Sequence, residues 1–182
     1  MQELTPRNIF VSILNHNVPF AVAQIKGNTD YPQLFGMISF CSTPFGGILI
    51  SAELYGLPDN PIVKKNSSEA VIKKSYAVSG IRSSNFFGMH IHETGDCTQP
   101  FDKTGSHFNP ANVPHPEHAG DLPPLFSSNG YAWTSFYTGR LRPEDIIGRS
   151  IVIHSMRDDF TSQPAGDSGT KIGCGVIQAI RS

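Results

Sequence analysis

Two histidines one residue apart, His90 and His92, set the strongest condition on how this chain can fold. On a β-strand both side chains leave the same face, whereas on a helix they would diverge by about 200°. The stretch from Phe86 to Leu122 also holds His107, His115 and His118, so that five of the seven histidines lie in it, and Asp121 stands three places after the last. These later members sit in Gly-, Pro- and Asn-rich sequence that reads as loop. Such crowding is a metal-site pattern. Three imidazoles and a carboxylate from a loop make a four-coordinate, tetrahedral set of the type zinc accepts. Two neutral imidazoles on one strand face suit a second, nitrogen-seeking metal, and copper stands high in that affinity order. A lone histidine is more often a surface or hydrogen-bonded residue, and His16, without companions, is read that way.

The rest of the chain supplies strands to carry such a site. Glycine and proline together make 31 of 182 residues, which favours short strands joined by turns over long helices. Ala21–Lys26, Leu34–Phe40, Ile48–Tyr55, the aromatic run Tyr131–Tyr137, Ser150–His154 and Cys174–Ile180 read as strands, with Asn129-Gly130 as a tight hairpin turn. Pro143-Glu144-Asp145 begins a connection of about one helical turn. This spacing predicts an all-β, eight-stranded antiparallel Greek-key barrel or sandwich with long metal-binding loops. Asn8–Leu14 is open to two readings, an extra strand or an arm that contacts a partner.

Several segments match a known family in its own order: Gly88-Met-His90-Ile-His92-Glu, Gly105-Ser-His107-Phe-Asn-Pro, His118-Ala-Gly-Asp121-Leu, Ile146 to His154, and Gly173-Cys174-Gly-Val-Ile. Together they resemble the copper/zinc superoxide dismutases, from about Ala21 to the end. The resemblance implies copper held by His90, His92, His107 and His154. It implies zinc held by His107, His115, His118 and Asp121, so that His107 touches both metals. Asp158 takes the place of an aspartate that orients ligands of both, and Cys97 is paired with Cys174. That leaves Cys41 as the odd thiol. The implied reaction is disproportionation of superoxide to dioxygen and hydrogen peroxide, with His107 and Lys171 in catalytic roles. A contrasting expectation is a non-enzymatic relative that buffers or delivers copper, but such relatives are expected to lack a copper ligand and this chain has all four.

Three features depart from the family pattern. Lys171 stands where the family has arginine, a cation without the flat two-pronged fork. The loops from His115 to His118 and from Asp159 to Lys171 are short. Residues 59–85 form an insertion carrying Lys64, Lys65, Lys73, Lys74 and Arg82 against Asp59 and Glu69, read first as a solvated excursion and second as an aid to anionic substrates or a partner. Within it, Val71–Ser75 and Tyr76–Ile81 suggest a small hairpin, and Asn66-Ser67-Ser68 fits a glycosylation acceptor. The domain expectation is an extension over 1–20 followed by the barrel domain over 21–182.

The formal net charge of -1 offers no global field for nucleic acid, and no run approaches the length of a membrane span, so neither is expected as a partner. Superoxide is the expected substrate, and the resemblance leaves room for a homodimer and a copper-delivery partner. The N-terminus has no basic region followed by an apolar core, which makes the cytoplasm the expected location, or secretion or the periplasm if a signal has been removed.

Overall fold

Alternation along the first three strands decides which way the sheet faces. In the computed structural model, which describes residues 5–16, 18–58 and 85–180, these strands are β1 (Ala21–Gly27), β2 (Phe35–Ser42) and β3 (Ile48–Tyr55). Ala23, Ile38 and Ala52 lie opposite one another across them, as do Ala21, Phe40 and Ile50, and all six are fully buried. Each large aliphatic or aromatic side chain buried this way contributes about 1.5–3 kcal/mol.

The chain continues through β4 (Phe86–Phe87), β5 (Met89–His92), a short 3-10 turn (Asp102–Thr104), β6 (Leu125–Phe126), β7 (Ala132–Thr138), α2 (Pro143–Ile146), β8 (Ser150–His154) and β9 (Lys171–Ala179). Among the described residues, seven strands form one curled antiparallel sheet in the order β5-β8-β9-β1-β2-β3-β7, while β4 pairs with β6 in a separate short ribbon. The chain crosses from β3 to the far edge at β5, returns to β7 beside β3, and crosses back to β8, which is Greek-key connectivity. The core between the curled faces includes Ile25, Leu34, Leu54, Met89, Ile91, Leu125, Leu141, Ile151 and Ile177.

Asn129 and Gly130 both take positive φ, and Ser128 and Tyr131 exchange two backbone hydrogen bonds of 2.8 and 3.1 Å, the arrangement of a two-residue hairpin turn. The strand before it, β6, pairs with β4 and not with β7, so the turn closes without a long hairpin behind it.

The N-terminal segment is a helix and not a strand. Pro6–His16 forms helix α1, whose start has proline in the first turn and Thr5 Oγ1 accepting the Asn8 N–H at 3.4 Å. Ile9, Phe10 and Ile13 fall on one helical face and pack with Cys41 and Leu49 on the outer side of β2 and β3, while Phe10 stacks on Tyr137 of β7. Apolar residues at these positions fit a period of 3.6 as well as they fit a strand, and the open sheet face selects the helix. The suggested hairpin and glycosylation acceptor of the insertion lie outside the described residues.

Candidate metal centre

Strand β5 is buried on both sides, and its alternation divides two environments. Met89 and Ile91 enter the hydrophobic core, which leaves His90 and His92 on the opposite face, both almost wholly enclosed. On one side β5 pairs with β8, which delivers His154 at its end. Its other edge is stitched to the following loop: Ile91 donates to Gly120 O at 2.9 Å and accepts from the Phe108 N–H at 2.8 Å, while Glu93 donates to Ser106 O at 3.0 Å. This satisfies an edge that would otherwise be open. It also sets His107 opposite His92, and Asp121 opposite His90.

Two four-residue groups result, each with ligand atoms within 4.8 Å of one another: His90, His92, His107 and His154, and His107, His115, His118 and Asp121. The His107 ring is common to both. Its Nδ1 lies 2.7 Å from Asp121 Oδ1, and its Nε2 has no hydrogen-bond partner. His90 Nδ1, His115 Nδ1 and His118 Nδ1 are buried and unpartnered as well. The last two approach Asp121 Oδ2 to 2.9 and 3.2 Å without the direction of a hydrogen bond.

Four other ring nitrogens are held by acceptors, and this fixes where the lone pairs on those rings point. His90 Nε2 and His115 Nε2 donate to the two oxygens of Asp158, at 2.8 and 2.9 Å, so one carboxylate joins the two groups. His92 Nδ1 donates to Gly105 O at 2.9 Å. Ser168 gives its hydroxyl proton to Ala165 O at 2.9 Å, and its oxygen therefore accepts from His154 Nδ1 at 3.3 Å. The Nε2 atoms of His92 and His154 then face each other at 3.3 Å with a lone pair each. No proton joins them, and a cation between them would turn that repulsion into attraction. The residues thus fit metal ions on their own geometry, with imidazole nitrogens for copper and three nitrogens plus a carboxylate for zinc.

Electrostatics point the same way. Burial lowers the pKa of His92 to about 3, against the opposing pull of the Gly105 carbonyl. Burial likewise lowers His90, and takes His154 well below the ordinary range. These rings are neutral near pH 7, the form that binds a metal. Burial pushes Asp121 and Asp158 upward, but hydrogen bonds from His107 to the first and from His90, the Phe160 N–H and His115 to the second outweigh it and hold both ionised.

His92, His107, His118 and His154 line an open cleft of about 680 Å³, to which Gln163, Asp167 and Lys171 also contribute. Lys171 lies opposite His154 at an irregularity in the β8–β9 pairing. Cys97 and Cys174 are joined in a disulfide, the pairing implied by the resemblance, and Cys41 is a buried free thiol. Thr104, the Gly105 carbonyl and Ser168 were not singled out from the sequence, since a backbone oxygen and a lone hydroxyl carry no pattern that marks them as partners of a ring.

Gly166 is the closest constraint on Asp158. Its φ of +66° favours glycine, and a Cβ there would overlap the Asp158 carboxylate and come within 2.7 Å of His115 Nε2. Gly166→Ala is expected to displace Asp158 and weaken metal binding at least about tenfold. Competition with a colorimetric chelator measures it; affinity equal to the parent would contradict this placement.

A family model described as copper/zinc superoxide dismutase matches residues 61–177. A superoxide dismutase [Cu-Zn] from Deinococcus radiodurans is 39% identical over 128 residues, which cover 58% of this chain and 70% of that protein. An extracellular superoxide dismutase [Cu-Zn] of Mus musculus is 31% identical over 158 residues, 81% of this chain but only 55% of the mouse protein. A superoxide dismutase [Cu-Zn] from Legionella pneumophila is 29% identical, with 81% and 80% covered. Among solved structures, the clock protein EA4 superposes with a TM-score of 0.66 at 25% identity, over 89% of this chain and 96% of that one.

Proposed function

Since the chain belongs to the copper/zinc superoxide dismutase family, we propose that it disproportionates superoxide to dioxygen and hydrogen peroxide. Copper and zinc are its cofactors. His90, His92, His107 and His154 would hold copper, and His107, His115, His118 and Asp121 would hold zinc. Bound copper supplies a one-electron redox couple, while zinc, which has none, contributes charge and order.

The protein's own groups do the rest. Asp158 orients His90 and His115 at once, so neither set can rotate without the other. Without metals His107 Nδ1 lies against Asp121; as a ligand of both ions the ring would give up both protons, and Nε2 is the atom where a proton can be taken up and passed to the reduced product. The cleft admits a small anion, and Lys171 supplies a positive charge on its lining. The observation that carries this reading is the set of buried, unpartnered ring nitrogens converging around one shared histidine beside an open cleft. The proposal extends to work in the cytoplasm; the relatives include both bacterial and extracellular proteins.

The test is reconstitution with both metals followed by a superoxide-consumption assay. Metal-dependent consumption is expected; stoichiometric metal uptake with no consumption would refute the enzyme and leave a metal-binding protein. A second expected result concerns stability. Zinc binds the folded state, so free zinc a hundredfold above its Kd should add about 2.7 kcal/mol. Thermal unfolding should show this rise in the parent and a much smaller one in His118→Ala.

A further inference from the structure

The ammonium group of Lys171 is already committed. It donates to Thr104 Oγ1 at 2.8 Å, to Gly105 O at 3.0 Å and to Phe101 O at 3.4 Å. Thr104 gives its own hydroxyl proton to Phe101 O at 2.8 Å, so its oxygen is free to accept from the lysine. An ammonium has three protons, and here each has a protein oxygen.

Two of those oxygens are the ones that face His92. Its Nδ1 lies 2.9 Å from Gly105 O and 3.4 Å from Thr104 Oγ1. Gly105 sits at φ +76°, ψ -155°, a conformation held essentially by glycine, and its carbonyl accepts from both His92 and Lys171. Lys171 reaches across from β9 to make the second of these bonds. We propose that Lys171 is a positioning residue: it fixes the two oxygens that orient the His92 ring, and it gives no hydrogen bond to the substrate anion.

The consequence is a division of labour specific to this chain. A lysine with all three protons occupied attracts an anion through its field alone, and Glu93 and Asp167 on the same cleft lining oppose that field. A guanidinium has five N–H donors, so arginine at this position could hold the same oxygens and still offer one to an anion. The part of the proposal that concerns the anion rests on the reading of the site as a superoxide dismutase; the part that concerns His92 does not.

The experiment uses the full chain loaded with copper(I) and zinc, which is diamagnetic, and NMR of the ring N–H protons. In Lys171→Met the His92 Nδ1–H should exchange at least about tenfold faster, whereas the His90 Nε2–H, held by Asp158, should keep its rate. Lys171→Arg should restore the slow exchange. Inorganic phosphate should leave the Lys171 Nζ resonance of the parent unmoved, and should shift the guanidinium signals of Lys171→Arg saturably. Should Lys171→Met fail to fold, Thr104→Val gives the same readout, with faster His92 exchange and an Nζ signal that now responds to phosphate. Unchanged His92 exchange in the variants, or a saturable phosphate shift of Nζ in the parent, would overturn the proposal. Absent superoxide consumption with these NMR results intact would instead sink the enzyme reading alone.

Discussion

Asp158→Ala is expected to lower metal affinity about 10–100-fold at both positions together. The carboxylate is wholly enclosed and accepts from His90 Nε2, His115 Nε2 and the Phe160 N–H. Removing it leaves these donors buried without partners, and each such orphan costs about 1–3 kcal/mol. The rings would recover by turning, which carries His90 Nδ1 and His115 Nδ1 away from their groups. Competitive titration with zinc and copper chelators checks this. A loss confined to one metal would mean that the two groups are oriented independently, contrary to the shared carboxylate seen here.

Cys97→Ser should produce the largest stability effect. The disulfide closes 77 residues of chain, and loop closure of that length stabilises the folded state by about 4–5 kcal/mol in the chain-entropy model. For a protein of this size that corresponds to a fall in Tm of about 10 °C or more. The effect extends to the site. Cys97 and Phe101 pack with Val152 and Cys174, and Gln99 Oε1 accepts from the Thr29 N–H, so the bond anchors the loop that carries Thr104 and Gly105. Calorimetry with and without reductant should show the same fall for the reduced parent as for the variant. A Tm within 2–3 °C of the oxidised parent would contradict the role assigned to the cross-link.

The reading of β5 shows what local pattern can reveal. Alternation alone places His90 and His92 on one face, because strand periodicity is a property of the backbone and needs no partner. The order that puts β5 at one edge and β7 at the other is set by pairing across the sheet and not by that local pattern. Helix α1 escaped that logic: Ile9, Phe10 and Ile13 suit more than one period, and the uncovered face at Cys41 and Leu49 decides between them.

What the sequence by itself determined is most of the longer strands and their order, which face His90 and His92 share, and which residues have the chemistry to hold two ions. What only the tertiary structure decided is how remote groups meet. Asp158 spans rings 68 and 43 positions away, and Lys171 grips a turn 66 residues earlier, on oxygens that belong to backbone and to a threonine. The physical reason is that side-chain periodicity acts over a few residues, whereas the direction of a carbonyl or a ring nitrogen is set by whatever the folded chain brings within about 3 Å of it.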